Sequence, residues 1–322
     1  MKAGLDHLSC RSIGPHLPLS GGLLKAAERA REIGANAVQV FTDNPASWRR
    51  RAEQPAELEA FRERLAEYGI GPLAVHAPYL INLCGSKEDF WDSSCVTLAN
   101  ELKVGRLYGA SFVVAHVGSH RGHSREVGIE RLALGLVRVL EEAPQPGPLL
   151  VLENSAGTGD GVGSTLEDLA DIAAAAERAG VDLERVGFCL DTAHLWGAGY
   201  PLDEPDGVDR LVGRIEELIG RQKVVMLHLN DSRTTRGSRL DRHEHIGAGR
   251  IGVEGLRRLL CDPWLGTLPT YLETPGMDVG YDAVNLERVR LIIAGEPLPQ
   301  LPPEAFSVRG SRSRAGTPPE VT

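Results

Sequence analysis

The sequence contains no apolar stretch long enough to cross a membrane. A membrane-spanning helix needs a run of about 18 or more apolar residues, and none occurs within the 322 residues. The first ten residues, MKAGLDHLSC, also lack the apolar segment of a secretory signal. We therefore expect a cytoplasmic protein that has no membrane partner.

A cysteine framework is absent as well. The cysteines are five, an odd number, and no two of them form a CxxC pair, which argues against a complete set of disulfides. We interpret them as small hydrophobic core residues rather than as metal or redox groups. They are Cys10, Cys84, Cys95, Cys189 and Cys261.

Positive charge is in deficit. The 35 Lys and Arg residues are outnumbered by 44 Asp and Glu residues, which gives a formal charge of −9. Taken alone, this charge argues against a nucleic acid as partner. Bound cations can reverse the local potential, because a metal ion is often the largest charge in its site.

Short β-rich runs alternate with longer amphipathic segments along the chain. Apolar residues recur at helical spacing in residues 23–34, 57–69, 128–143 and 166–180. Eight strand-helix units in this length predict a TIM barrel, a closed (β/α)₈ fold, rather than an open sheet. The predicted strands cover residues 12–17, 37–41, 71–76, 112–116, 149–153, 186–191, 224–230 and 270–273.

One domain is expected over residues 1–297. The remaining residues, 298–322, are rich in Pro, Ser, Gly and Arg. Such a composition buries little apolar surface, so we expect a disordered C-terminal tail there.

Histidine and acidic residues fall at or just beyond the ends of six consecutive predicted strands, from the third to the eighth. In a barrel these ends form one rim, where catalytic groups gather. Five imidazoles and four carboxylates without cysteine suit Zn²⁺ or a similar divalent ion, and nine ligands are too many for two ions. The residues are His76, His116, Glu153, Asp191, His194, His228, Asp241, His243 and Glu273.

Three segments resemble the signatures of the endonuclease IV family of apurinic/apyrimidinic endonucleases. They are HAPYLINL (76–83), GFCLDTAHLWGAGY (187–200) and HLNDSRTTRGSRLDRHEHIGAGRIG (228–252). The resemblance implies a TIM barrel with three zinc ions per chain. One would be held by His76, His116 and Glu153, a second by Glu153, Asp191, His228 and Glu273, and the third by His194, Asp241 and His243.

The resemblance also implies an activity. It is hydrolysis of the phosphodiester 5′ to an abasic site in double-stranded DNA, which leaves a 3′-hydroxyl and a 5′-deoxyribose phosphate. The implied nucleophile is a metal-bound hydroxide, and Glu153 and Glu273 would orient the attacking water or accept its proton. Repair of blocked 3′ ends is a second expected activity, and the protein is expected to be a monomer.

Predicted DNA contacts fall on two rim loops. By resemblance, Tyr79 and Leu80 fill the gap left by the missing base. Arginines follow the seventh strand, and we expect phosphate contacts from Arg233, Arg239 and Arg242. The chain departs from the family at Ala46, where the family has an arginine that enters the DNA stack.

Two other functions fit parts of the pattern. A sugar isomerase or epimerase on a related barrel uses one or two ions held mainly by carboxylates, so His194, Asp241 and His243 would be surplus there. A zinc-holding or damage-binding protein without activity is the other alternative. The complete ligand set argues against it, whereas Ala46 argues slightly for altered DNA binding.

Overall fold

Eight parallel strands form a closed barrel in the computed structural model, which describes residues 11–308. Each barrel strand lies beside the barrel strands that precede and follow it in the chain, and the last one pairs with the first. The predicted TIM barrel is therefore confirmed. The strands are β1 (Ile13–Leu17), β2 (Val38–Val40), β3 (Leu73–His76), β4 (Phe112–His116), β5 (Leu149–Glu153), β6 (Val186–Asp191), β7 (Val224–His228) and β10 (Thr270–Leu272).

A small antiparallel hairpin interrupts the regular alternation after β7. Its strands, β8 (Asp231–Ser232) and β9 (His243–Glu244), pair Asp231 with Glu244 and Ser232 with His243. Asp231 is buried and its carboxylate accepts hydrogen bonds from the backbone of Ser232, Gly249 and Ile251. The hairpin and the loop after it are thus fixed around one carboxylate at the rim.

Helices cover the outside of the barrel because each presents an apolar stripe to the strands. Helix α1 (Leu23–Glu32), for example, buries Leu23, Ala26, Ala27 and Ala30. None of the helices within residues 11–308 combines the length and apolarity that a membrane crossing requires. The other helices are α2 (Leu58–Glu67), α3 (Glu88–Tyr108), α4 (Arg125–Glu142), α5 (Leu166–Arg178), α6 (Thr192–Ala198), α7 (Gly207–Leu218), α8 (Gly252–Cys261) and α9 (Tyr281–Ala294).

The interior of the barrel is a second, smaller core inside the ring of strands. Buried side chains fill it, so the lower barrel is a packed core rather than a channel. In β1 the corresponding place is taken by Gly14, where any Cβ would overlap the carbonyl oxygen of Ala37. The interior side chains are Ala37, Ala74, Val114, Val151, Cys189, Met226 and Tyr271.

The cysteines within residues 11–308 are all free thiols. Cys84, Cys95 and Cys189 are buried, as expected for small hydrophobic residues, whereas Cys261 is exposed at the end of α8. Cys10 lies outside the described residues.

Part of the predicted tail packs against the barrel. Leu298 contacts the core, Pro303–Ser307 forms a short 3₁₀ helix, and Ala305 is fully buried. The carbonyl of Ala305 lies 2.9 Å from Nε2 of His245. Residues 298–308 are therefore ordered, in contrast to the expectation of disorder. The reason is that a few apolar side chains among the prolines pack against the barrel. Residues 309–322 lie outside the described part of the chain.

Candidate metal centre

The rim of the barrel carries a layer of polar side chains directly above the interior core. Side chains two residues apart in a strand point to the same face, so each interior residue predicts the position of the next one up. Val114 is followed in this way by His116, and Val151 by Glu153. We call the resulting set the rim layer: His16, Gln39, His76, His116, Glu153, Asp191, His228 and Glu273.

Three groups of potential metal ligands form in and beside the rim layer. In each group the ligand atoms lie within 4.8 Å of one another. Glu153 belongs to the first and second groups, and Asp191 belongs to the second and third. The first contains His76, His116 and Glu153, the second Glu153, Asp191, His228 and Glu273, and the third Asp191, His194 and His243.

Glu153 lies at the centre and is completely buried. Its Oε2 is 3.4 Å from both His76 Nε2 and His116 Nδ1, and its Oε1 is 3.2 Å from His228 Nδ1. Neither oxygen has a hydrogen-bond partner. A buried carboxylate without partners is costly unless a charge compensates it. These residues therefore fit a cation placed between them.

Three imidazoles have one ring nitrogen held by a backbone carbonyl. Nδ1 lies 2.7 Å from Ala77 O in His76, 2.9 Å from Asn154 O in His194 and 2.9 Å from Glu273 O in His243. Because a carbonyl only accepts, Nδ1 carries a proton, and the neutral form of each ring therefore has its lone pair on Nε2. This arrangement is typical of metal-ligating histidines.

Asp191 lies between the second and third groups. Its Oδ2 is 3.5 Å from His243 Nε2, and its Oδ1 accepts from the backbone nitrogen of His194. Asp241 is 3.4 Å from His194 Nε2 and 3.2 Å from His243 Nε2. The two carboxylates face the same pair of imidazoles, whereas the family resemblance implied only Asp241 there. Asp191 is thus within reach of both the second and the third group of ligands.

The cluster strongly perturbs ionisation. Burial opposes a charge on Glu153, but the nearby imidazoles, led by His116 and His228, lower its pKa well below the usual value. Burial likewise opposes a charge on His194, yet Asp191 and Asp241 raise its pKa well above the usual value. Such opposed shifts in one pocket are characteristic of functional sites.

Amide side chains that the sequence pattern did not single out hold the carboxylates from outside. Asn230 donates to Asp191 Oδ2 at 2.6 Å and accepts from the backbone nitrogen of Glu273 at 2.9 Å. Gln39 contacts Glu273 and His228. The available signal was polarity inside apolar strand runs, in V-Q-V for Gln39 and H-L-N for Asn230.

The predicted DNA-facing pair lies beside the cluster. Tyr79 is 42% exposed, and its ring centroid is 5.6 Å from that of His76 and 6.1 Å from that of His116. Leu80 is partly buried. The backbone nitrogen of Tyr79 donates to Pro45 O at 3.1 Å, which joins this loop to the loop that carries the exposed Ala46.

The three arginines that were predicted to contact DNA form ion pairs or hydrogen bonds with other groups of the protein. Arg233 pairs with Glu244 at 3.2 Å, and Arg239 donates to Gly157 O at 2.6 Å. Arg242 donates to Asp241 O at 2.6 Å. These arginines are near the rim, but part of their donor capacity is used to fix the loops.

Known proteins match both the fold and the sequence. A family model described as a xylose isomerase-like TIM barrel matches residues 27–287. A protein of Methanoculleus marisnigri named "Probable endonuclease 4" is 38% identical over 279 residues, covering 86% of this chain and 97% of that protein. The chain belongs to the endonuclease IV family.

Solved structures agree with this membership. Endonuclease IV from Thermus thermophilus has a TM-score of 0.77 and 36% identity, and the match covers 88% of this chain and 99% of that one. A D-tagatose 3-epimerase-like protein has a TM-score of 0.64 at 18% identity, covering 87% of this chain and 98% of that one. The second likeness shows a shared barrel alone. The identity of 36% to endonuclease IV, against 18% to the epimerase-like protein, therefore groups the chain with the endonuclease IV relatives.

Proposed function

We propose that this member of the endonuclease IV family is a zinc-dependent DNA-repair enzyme that cleaves the phosphodiester 5′ to abasic sites. The observation that carries the proposal is the convergence of nine histidine and acidic side chains at one rim. Relatives named endonuclease 4 support a phosphodiester hydrolase. The products would be a 3′-hydroxyl and a 5′-deoxyribose phosphate.

Three zinc ions per chain fit the available ligands. All donors are imidazole nitrogens or carboxylate oxygens, which zinc accepts, and each group offers three or four of them. Four carboxylates would neutralise four of the six positive charges. The remaining positive charge would favour an anionic phosphodiester in a protein that is acidic as a whole.

We propose that the ligands are divided among three ions. His76, His116 and Glu153 would hold the first, and Glu153 would be shared with Asp191, His228 and Glu273 at the second. His194, Asp241 and His243 would hold the third, with Asp191 beside it.

Bound Zn²⁺ supplies Lewis acidity, which lowers the pKa of water and offsets the negative charge of the phosphate. The catalytic roles of the chain's own residues fall to Glu153 and Glu273. In the metal-free protein both carboxylates are ionised, because neighbouring imidazoles lower their pKa values against the opposing effect of burial. They can orient the attacking water and accept its proton. Hydrolysis of a phosphate ester that blocks a 3′ end would require the same chemistry. We therefore also propose 3′-end repair.

Discrimination against intact DNA would come from the rim. An abasic nucleotide has no base to unstack, so its displacement from the duplex is inexpensive. Tyr79, which lies beside the cluster, and Leu80 would occupy the gap that remains. We propose a monomer that acts alone on the duplex.

The direct test is incubation of a duplex carrying one abasic site, with and without a chelator. Cleavage 5′ to the site that the chelator abolishes and added Zn²⁺ restores would support the proposal. An intact abasic duplex, together with epimerisation of a ketose, would overturn it in favour of the sugar epimerase alternative.

Tyr79→Ala should weaken binding of an abasic duplex. Loss of one aromatic contact with nucleic acid costs about 1–3 kcal/mol, which is about 5- to 150-fold in Kd. Fluorescence anisotropy with a labelled duplex measures it. Leu134→Ala is the matched control, because Leu134 is 58% exposed on the outer helix α4. Equal Kd values for Tyr79→Ala and the unaltered protein would remove Tyr79 from the interface.

Zinc binding should release protons. In the metal-free protein, burial opposes a charge on His243, but Asp241 and Asp191 outweigh it and raise its pKa to about 10. His243 is then protonated at neutral pH, and it must lose that proton to become a ligand. Zinc affinity should therefore fall as the pH is lowered. Calorimetric titration in buffers of different ionisation enthalpy measures the release, and identical heats in all buffers would contradict it.

A further inference from the structure

One amide in the rim layer contacts three other members of that layer. Gln39 is fully buried near the middle of β2. Its Nε2 lies 2.7 Å from Glu273 Oε1 and 3.0 Å from His16 Nδ1, and its Oε1 lies 3.0 Å from His228 Nε2. Both polar atoms of this side chain are therefore used within the layer.

The chemistry of these partners fixes the direction of each hydrogen bond. An ionised carboxylate only accepts, so the amide nitrogen of Gln39 must face Glu273. The amide oxygen then faces His228. Because that oxygen also only accepts, Nε2 of His228 must carry a proton. The lone pair of neutral His228 is consequently on Nδ1.

Nδ1 of His228 is the nitrogen that faces the carboxylates. It lies 3.2 Å from Glu153 Oε1 and 3.4 Å from Glu273 Oε2, and it is buried without a hydrogen-bond partner. A lone pair placed between two carboxylates is repulsive unless a cation lies among them. His228 is thus placed to bind a metal ion through Nδ1.

This arrangement is opposite to that of three other imidazoles in the site. His76, His194 and His243 have Nδ1 held by backbone carbonyls and present Nε2. For His228 the restraining oxygen comes instead from the side chain of Gln39. A substitution at position 39 can therefore remove it, whereas a backbone carbonyl cannot be removed by mutation.

We infer that Gln39 is a positioning residue that selects the tautomer of His228 and orients Glu273 for metal binding. The inference rests on the proposed function, since it takes both residues as zinc ligands. The two ends of one amide thus act on two ligands at once, the oxygen on the imidazole and the nitrogen on the carboxylate.

Gln39→Leu tests the inference, because leucine retains much of the volume and removes every hydrogen bond. Outer hydrogen-bond partners of metal ligands typically contribute about 10- to 100-fold to metal affinity. We expect the zinc affinity of Gln39→Leu, measured by competition with a chelator, to be lower by that factor. Val40→Ala is the control, because Val40 is a buried neighbour in β2 that belongs to the outer core. It should lower stability and leave zinc affinity unchanged.

A spectroscopic measurement on the unaltered, zinc-loaded protein keeps the inference testable even if Gln39→Leu does not fold. Long-range ¹H–¹⁵N correlation spectra report which nitrogen of His228 carries the proton. We expect a protonated Nε2 in the unaltered protein and in Val40→Ala, and loss of that defined pattern in Gln39→Leu.

A proton on Nδ1 of His228 would overturn the inference, as would unchanged zinc affinity in Gln39→Leu. Either result could occur in a protein that still binds zinc and cleaves abasic DNA, so the proposed function would survive. Failure of the unaltered protein to cleave would instead count against the proposed function, and the proton position on His228 would still be determined from the spectrum.

Discussion

Glu153→Gln should eliminate abasic-site cleavage and lower the zinc content. Glu153 is the carboxylate on which four imidazoles converge, and glutamine offers them one neutral oxygen and an N–H that faces the ring nitrogens. We expect kcat/KM to fall by at least about 1,000-fold, which corresponds to about 4 kcal/mol of transition-state stabilisation. Cleavage assays and elemental analysis on the same preparation measure both effects.

A matched control separates this effect from the loss of any buried carboxylate. Asp282 is 1% exposed and pairs with Arg29 at the start of α9, outside the three ligand groups. Asp282→Asn should lower the melting temperature and leave zinc content and kcat/KM unchanged. Retained cleavage in Glu153→Gln would remove Glu153 from the catalytic centre.

His243→Ala should remove about one zinc of three while the barrel stays folded. His243 and His194 face Asp241 and Asp191 at the outer side of the cluster, so the third group loses a ligand and the first group loses none. We expect kcat/KM to fall by about 10²–10³-fold, the usual loss when one charge-stabilising group is removed from an active site. Elemental analysis and steady-state kinetics provide the test.

His123→Ala is the control for this substitution, because His123 is an exposed histidine on another rim loop, outside the three ligand groups. It should retain all zinc and full activity. Full zinc content in His243→Ala would show that the third group is not a metal site. The sugar isomerase alternative also predicts an unchanged metal content in His243→Ala, because His194, Asp241 and His243 hold no ion in that alternative.

The barrel and the location of the site could be predicted from the sequence because strand periodicity determines both. Apolar runs of strand length predicted eight strands, each within three residues of the observed boundaries. A ligand-type residue two positions beyond an interior side chain, such as His116 after Val114, must lie on the same face and one level higher. Six strands repeat this rule, so convergence at the rim followed from the fold.

Pairing between distant side chains could not be predicted in this way. Arg239 was expected to contact DNA, yet its guanidinium donates to the carbonyl of Gly157, which lies in the loop after a different strand. Asp191 was placed with one group of ligands, but it also faces His243. Such contacts depend on the relative heights of loops, which periodicity does not encode.

Amide residues were missed for a related reason. A glutamine in a strand is ordinarily a solvent-facing residue, and only the closed barrel turns Gln39 toward Glu273 and His228. The short packed segment at Pro303–Ser307 was missed because its composition is typical of disorder, while a few apolar side chains decide its position.

We propose that nine side chains hold three cations at one end of the barrel. Crystals of the zinc-loaded protein, measured at the zinc absorption edge, test it most directly through an anomalous difference map. We expect three peaks, one of them contacting His194, Asp241 and His243. Only one or two peaks, with no ion at those three residues, would contradict it.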